Sequence, residues 1–376
     1  MIRPARAGVL LAACALVAVA CGGTPEASPD TDAGSAPMTA ATSTAGTAAP
    51  TSSAAATSAP ATSAPPTTAA SLVPLPEPPY AVGKATLTFK DPSRETEANG
   101  GVPASPGRTM PVAIYYPAPG AADGTVRDNT SILRDRTWPL LVFVHGTSMT
   151  GERYEALTSA MASAGYVVVA PTLPGTSATA AGGPNPALYG GQPADVSFVI
   201  SAMLDLNGRP EGPLAGRLDP EAIGVFGQST GGDVALALTH DCCRDARVRA
   251  VAALAGTQYL RPGVPNFPID GYFASPSLPM LLIHGDADEI TPYGDSSMAF
   301  DQAAAPKFRA TMLGADHLGP SGAAGPSASF DASVALLEAF FAAYVSGPTP
   351  PAAEEVAAIL AAGDVPGVSR LDSAVE

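Results

Sequence analysis

Two rhythms of apolar and polar positions divide the chain between residues 80 and 346. Continuous apolar runs, PLLVFVHG (139–146), YVVVAPTLPG, IGVFGQS, VRAVAALAG and PMLLIHGD, have no polar face, the pattern of strands covered on both sides. KATLTFKD and MPVAIYYP predict an opening pair of antiparallel strands, and FRATMLGAD the last strand. Between these runs, ERYEALTSAMASAG with its terminating Gly165, ADVSFVISAMLDLNG, TGGDVALALTHDCC, SSMAFDQAAA and SASFDASVALLEAFFAAYVSG repeat their apolar positions at the helical period. The polar, glycine-rich SATAAGGPNPALYGGQ predicts a loop. Strands alternating with helices in this way predict an α/β domain: a mostly parallel sheet with helices on both faces. GPTPP ends that domain, and AAEEVAAILAAG predicts a short helix in a C-terminal extension, residues 347–376.

The N-terminal residues follow neither rhythm. MIRPARAGVLLAACALVAVAC places Arg3 and Arg6 before an apolar run too short for a permanent membrane span, so residues 1–20 predict an export signal. Ala18-Val19-Ala20 fits the small-residue cleavage pattern, and Cys21 stands where a lipoprotein receives its lipid. Either the mature protein is tethered through Cys21 to the outer face of a bacterial membrane, or it is secreted. Residues 21–76, almost entirely Ala, Ser, Thr, Pro and Gly, have too little apolar area to offset the entropy of ordering and predict a flexible tether. The folded domain is expected over 77–346.

The formal charge of −15 argues against nucleic acid and against electrostatic attachment to an anionic membrane, leaving Cys21 as the one predicted membrane link. Two of the four cysteines, Cys242 and Cys243, are adjacent within the body; two buried thiols and a vicinal disulfide both remain open there. His240 is the only other good ligand nearby, so no metal site is expected. The sequence leaves the oligomeric state undetermined.

The candidate chemistry centres on Gly227-Gln228-Ser229-Thr230-Gly231. A Gly-x-Ser-x-Gly match arises by chance roughly 0.3 times in a chain this rich in glycine and serine, so its surroundings decide. An apolar run precedes it and a helical run follows, which puts Ser229 on a sharp strand-to-helix turn with its hydroxyl exposed and a helix N-terminus beside it. A serine nucleophile needs a base, and His317 in GADHLGP follows the last predicted strand. His145 reads as part of an HG turn, His284 as a strand-end residue and His240 as structural. The carboxylate that orients the base is expected from GDADEITP, which offers Asp286 and Asp288. Gly285 to Pro292 resembles the Gly-x-x-Asp-x-x-x-Pro pattern of α/β-hydrolases, which implies Asp288, with Asp286 as the fallback and, more simply, a turn-shaping residue. One oxyanion donor is expected from the backbone of Thr230, and His145-Gly146-Thr147 resembles the oxyanion loop of α/β-hydrolases, which implies the backbone of Thr147 as the other, with Ser148 and Met149 on the same rim.

With these motifs in this order, the chain resembles an α/β-hydrolase over about residues 80–346. GRTMPVAIYYPAPG is similar to the platelet-activating-factor acetylhydrolase and dienelactone-hydrolase-like branch, and DEITP and GADHLGP to cutinase-like polyester hydrolases. True dienelactone hydrolases carry a cysteine nucleophile where this chain has Ser229, and many relatives carry histidine where it has Gln228. The resemblance implies a carboxylic-ester hydrolase with a Ser-His-Asp triad, no metal or organic cofactor, and a small-molecule, lipid or polymer ester as substrate. The stretch GTQYLRPGVPNFPIDGYFASPSLP is too short for a large cap, and Tyr259 within it is a candidate substrate contact. Two rivals share the motifs: an envelope acyltransferase using the same acyl-enzyme, and an inactive surface binding protein of the same fold.

Overall fold

The computed structural model describes residues 77–256, 278–347 and 349–375. The export signal, the tether, Cys21 and Tyr259 lie outside the described residues.

Ten strands form one sheet: β1 (Ala81–Asp91), β2 (Arg108–Ala118), β3 (Val126–Asp128), β4 (Trp138–Val144), β5 (Val167–Pro171), β6 (Leu218–Gln228), β7 (Val248–Leu254), β8 (Met280–Gly285), β9 (Lys307–Met312) and β10 (Ser369–Ala374). Their order across the sheet is β10-β9-β8-β7-β6-β4-β5-β2-β1-β3. The run from β5 through β4, β6, β7 and β8 to β9 is parallel, whereas β2 joins β5 and β10 joins β9 antiparallel. This is the mostly parallel sheet that the continuous apolar runs predict.

Why those runs lack a polar face is visible in β4. Leu140, Val142 and Val144 point into a cluster shared with Val196, Val199 and Ile200 of α2 (Gln192–Gly208), Val234 and Leu236 of α3 (Thr230–Ala237) and Ala299 of α4 (Tyr293–Gln302). Leu141 and Phe143 point the other way, among Leu157 and Met161 of α1 (Glu155–Ser163) and Leu336, Phe340 and Phe341 of α5 (Ala328–Tyr344). Both sets are fully buried, so a polar residue at any of these positions would enter a core. Helices thus cover both faces, and the sheet delivers the C-terminal ends of β4, β6 and β8 to one edge.

The opening strands pair as expected, and α1 stops at Ser163 before Gly165, whose φ of +107° suits glycine. Other elements differ from the pattern. The predicted loop after β5 contains a 3-10 turn, Pro186–Gly191, capped by the Asn185 side chain. The helix predicted over TGGDVALALTHDCC ends at Ala237; the chain then tightens into turns in which Thr239 and His240 donate N–H groups to carbonyls three residues back. There Cys242 and Cys243 form a disulfide, one of the two states the sequence left open, and Cys242 is exposed. The C-terminal extension contains the expected helix, α6 (Ala353–Ala362), whose Val356 and Leu360 join the α5 side of the core. It also contains a strand that no apolar pattern announced, β10, held to β9 by backbone pairing and by Arg309 donating to Asp372 at 2.6 Å.

Candidate active site

Ser229 occupies the turn between β6 and α3 with φ 55° and ψ −128°, a backbone conformation rare for residues with a side chain and costing on the order of 1–3 kcal/mol. The surrounding packing holds it there. A Cβ on Gly227 would sit 2.2 Å from the Gly231 carbonyl oxygen, and one on Gly231 would sit 2.1 Å from that of Val144. Both flanking glycines are therefore required for the turn to close against β4. The Ser229 N–H donates to Leu254 O of β7 at 2.8 Å, while its own carbonyl accepts from Asp233 N at 3.1 Å and starts α3.

The loop after β4 lies against this turn. A Cβ on Gly146 would come within 3.0 Å of Ser229 Cβ and 2.8 Å of Gln228 Oε1, so no other residue fits without displacing them. The Thr147 and Thr230 hydroxyls meet at 3.0 Å, which brings together the two residues expected to supply oxyanion donors. Ser148, with φ 62°, donates its N–H to Thr176 O at 2.8 Å, and Met149 donates to Gly146 O at 3.2 Å. Those two N–H groups are thereby committed, whereas the Thr147 N–H has no acceptor among the described residues. Thr230 is the first residue of α3, where N–H groups have no intrahelical acceptor.

His145 anchors this loop. Its Nδ1–H donates to Gly146 O at 2.8 Å and its Nε2 accepts from Leu173 N at 2.9 Å, a pairing that only the neutral ring satisfies on both sides. Complete burial pushes its pKa down to about 4. The folded-state value is depressed, so the stabilisation is full above the unfolded value near 6.5 and is lost as pH falls towards 4, because the unfolded chain takes up a proton the folded one refuses. This linkage is worth about 3 kcal/mol, most of it gone by pH 4.5. Urea denaturation at pH 7.5 and 4.5 checks this: the loss of stability is expected to be smaller in His145→Asn than in the wild type.

Asp288 and His317 meet directly. His317 Nδ1–H donates to Asp288 Oδ2 at 2.7 Å, and both side chains are buried. The other carboxylate oxygen, Oδ1, accepts from the N–H groups of Ile290 and Thr291, each at 2.8 Å. Burial works against the Asp288 charge, but the hydrogen bonds from His284, His317 and the Thr291 N–H outweigh it and hold the carboxyl well below the usual aspartate range. Asp286, the fallback, is exposed and accepts from Gly314 N at 2.6 Å, shaping the turn beside the His317 loop. Asp316 caps that loop from within by accepting from Leu318 N and Gly319 N.

Two residues of the site have no catalytic signal in the sequence. His284 Nε2 lies 2.8 Å from Thr291 O and 3.2 Å from Asp288 Oδ2, so a second imidazole faces the oxygen that His317 uses. Gln228, next to Ser229, donates from Nε2 to the His317 carbonyl at 3.1 Å, so the nucleophile turn touches the histidine loop. The spacing of His284 and Asp288, four apart on a strand-end turn, hinted at the first contact; the second spans 89 positions and leaves no local trace.

Residues 132–258 match the Chlorophyllase family model, a stretch that includes Thr147, Ser229 and Thr230 and ends before Asp288 and His317. A solved ferulic acid esterase from Streptomyces cinnamoneus superposes with a TM-score of 0.52 at 19% identity, over 74% of this chain and 94% of that one. No curated protein sequence matches the chain.

Proposed function

The chain has the α/β-hydrolase fold, and on that premise we propose that it is an exported serine hydrolase that cleaves carboxylic esters through Ser229, His317 and Asp288. The observation that carries the reading is the 2.7 Å bond from His317 to a buried, ionised Asp288, on a loop that the neighbour of Ser229 also grips. The esterase name of the structural neighbour agrees with it.

In this reading, Ser229 Oγ attacks the ester carbonyl carbon while His317 Nε2 takes the hydroxyl proton, and the carbonyl electrons move onto oxygen. The Thr147 and Thr230 N–H groups receive that oxyanion. Collapse of the tetrahedral adduct breaks the bond to the alcohol, which leaves with the proton from His317, and water then releases the acid from Ser229 by the same steps. Asp288 keeps His317 in the tautomer with Nδ1 protonated, so that Nε2 is free to act as base. Ser148 and Met149 flank the substrate, and the signal and tether carry the enzyme to the outer face of the membrane through Cys21, or into the medium.

The purified protein is expected to react with a fluorophosphonate probe at a single residue, mapped by peptide sequencing to Ser229. Labelling elsewhere overturns the assignment.

A further inference from the structure

The His317 loop is tied firmly on one side. Gly314 N donates to Asp286, Ala287 N donates to Ala315 O at 3.2 Å, and a Cβ on Gly285 would sit 2.1 Å from that same oxygen, so the loop packs hard against the end of β8. On the β6 side, where Ser229 stands, the hydrogen bond that reaches the loop among the described residues is the one from Gln228. Its orientation is fixed chemically: a carbonyl can only accept, so the amide nitrogen must face His317 and the amide oxygen must face away. That oxygen accepts from the Tyr154 hydroxyl at 2.7 Å. Gln228 is 1% exposed and Tyr154 is buried too, so neither bond is exchanged cheaply for water. Tyr154 also meets the Gly146 N–H, and burial, only partly offset by that contact, raises its pKa and keeps it a neutral donor. Gly146 in turn packs on Gln228 Oε1 and on Ser229 Cβ.

One chain of donors and acceptors therefore runs from the β4 loop through Tyr154 and Gln228 to the backbone of His317. We propose that Gln228, oriented by Tyr154, is a positioning residue that sets the reach of His317 towards Ser229. The proposal rests on the ester-hydrolase reading above and adds to it a role for the residue that replaces the histidine found in many relatives. Asp288 holds the imidazole at Nδ1, and Gln228 holds the backbone from which that ring hangs. With both ends fixed, the Nε2 to Oγ approach is set before substrate arrives. Releasing the Gln228 end loosens the proton transfer, and any shift passed through Gly146 to the Thr147 donor also acts on the transition state, so the effect belongs in kcat rather than KM.

The test uses the full purified chain with p-nitrophenyl butyrate as probe, and compares wild type, Gln228→Ala, Gln228→Met, Tyr154→Phe and the Gln228→Ala/Tyr154→Phe double variant, with urea midpoints for each. Gln228→Ala is expected to lower kcat on the order of 10- to 100-fold with KM within about twofold, as misplacement of a catalytic group does. Gln228→Met, which keeps the length of the side chain but has nothing to donate to the His317 carbonyl, is expected to be as impaired. Tyr154→Phe should lose less, about fivefold, and the double variant should be no worse than Gln228→Ala alone because both act through one bond. Unchanged kcat in Gln228→Ala, a loss confined to KM, or losses that multiply in the double variant each overturn the proposal. Should Gln228→Ala fail to fold, Gln228→Met decides: wild-type kcat there overturns it. A Ser229→Ala arm separates the two levels, since activity retained in that variant refutes the hydrolase reading, whereas its loss beside a normal Gln228→Ala refutes only the positioning role.

Discussion

Ser229→Ala is expected to abolish ester turnover, lowering kcat by about four to six orders of magnitude, while the fold and its urea midpoint persist. The size follows from the covalent route: without Oγ there is no acyl-enzyme, and the Thr147 and Thr230 donors can assist only a slow direct attack by water. The fold should tolerate the change because the Ser229 contacts that build the turn are made by its backbone, N–H to Leu254 O and carbonyl to Asp233 N. Alanine is no better suited than serine to φ 55°, so the backbone strain carries over unchanged. Steady-state hydrolysis of a p-nitrophenyl ester, with a denaturation curve alongside, measures both halves. Turnover within tenfold of wild type would remove Ser229 from the chemistry.

Asp288→Asn should be nearly as damaging, about 10⁴-fold in kcat, although it alters one atom. The neighbours dictate which way the new amide turns. Ile290 N and Thr291 N both donate to Oδ1, so the amide oxygen stays there and the NH2 group takes the place of Oδ2. That position faces His317 Nδ1 and lies within reach of His284 Nε2. His317 must then accept at Nδ1 and carry its proton on Nε2, the nitrogen that has to be bare to act as base. His284, whose Nε2–H already points to Thr291 O, would face a donor with a donor. KM should change little, since the pocket walls are untouched, and a loss of less than about tenfold in kcat would mean that Asp288 does not orient the base.

The parts of the site legible in the sequence share a property: each sits where a strand pattern stops. The apolar runs ending at Val144, Gln228 and Gly285 mark the strand ends that the fold gathers at one edge, so the residues just beyond them could be grouped before any contact was known. The family-like spacing from Gly285 to Pro292 singles out Asp288 over Asp286, and the two have different partners, His317 and Gly314 N. What escaped were side chains that act across the fold. Gln228 and Tyr154 are 74 positions apart, and nothing in either neighbourhood distinguishes a bonded glutamine from a buried spectator. The helix after Ser229 was overextended because THDCC keeps an acceptable helical pattern, while closing successive turns three residues back ends the helix at Ala237.

The strand β10 escaped for another reason, and it matters for handling the protein. SRLDSA has no apolar alternation because an outermost strand has little core to face, so the sequence pattern, which ends the folded unit at residue 346, stops short of a strand that runs to Ala374. A chain cut after residue 346 would strip β9 of its outer neighbour and leave its N–H and C=O groups open to pairing with another molecule. It would also remove Val356 and Leu360 from the cover of α5, and Val368, whose carbonyl receives Leu313 N just ahead of the histidine loop. An expression boundary drawn by eye at the proline-rich GPTPP would thus trade a tidy terminus for a sticky edge, next to the loop whose position the chemistry depends on.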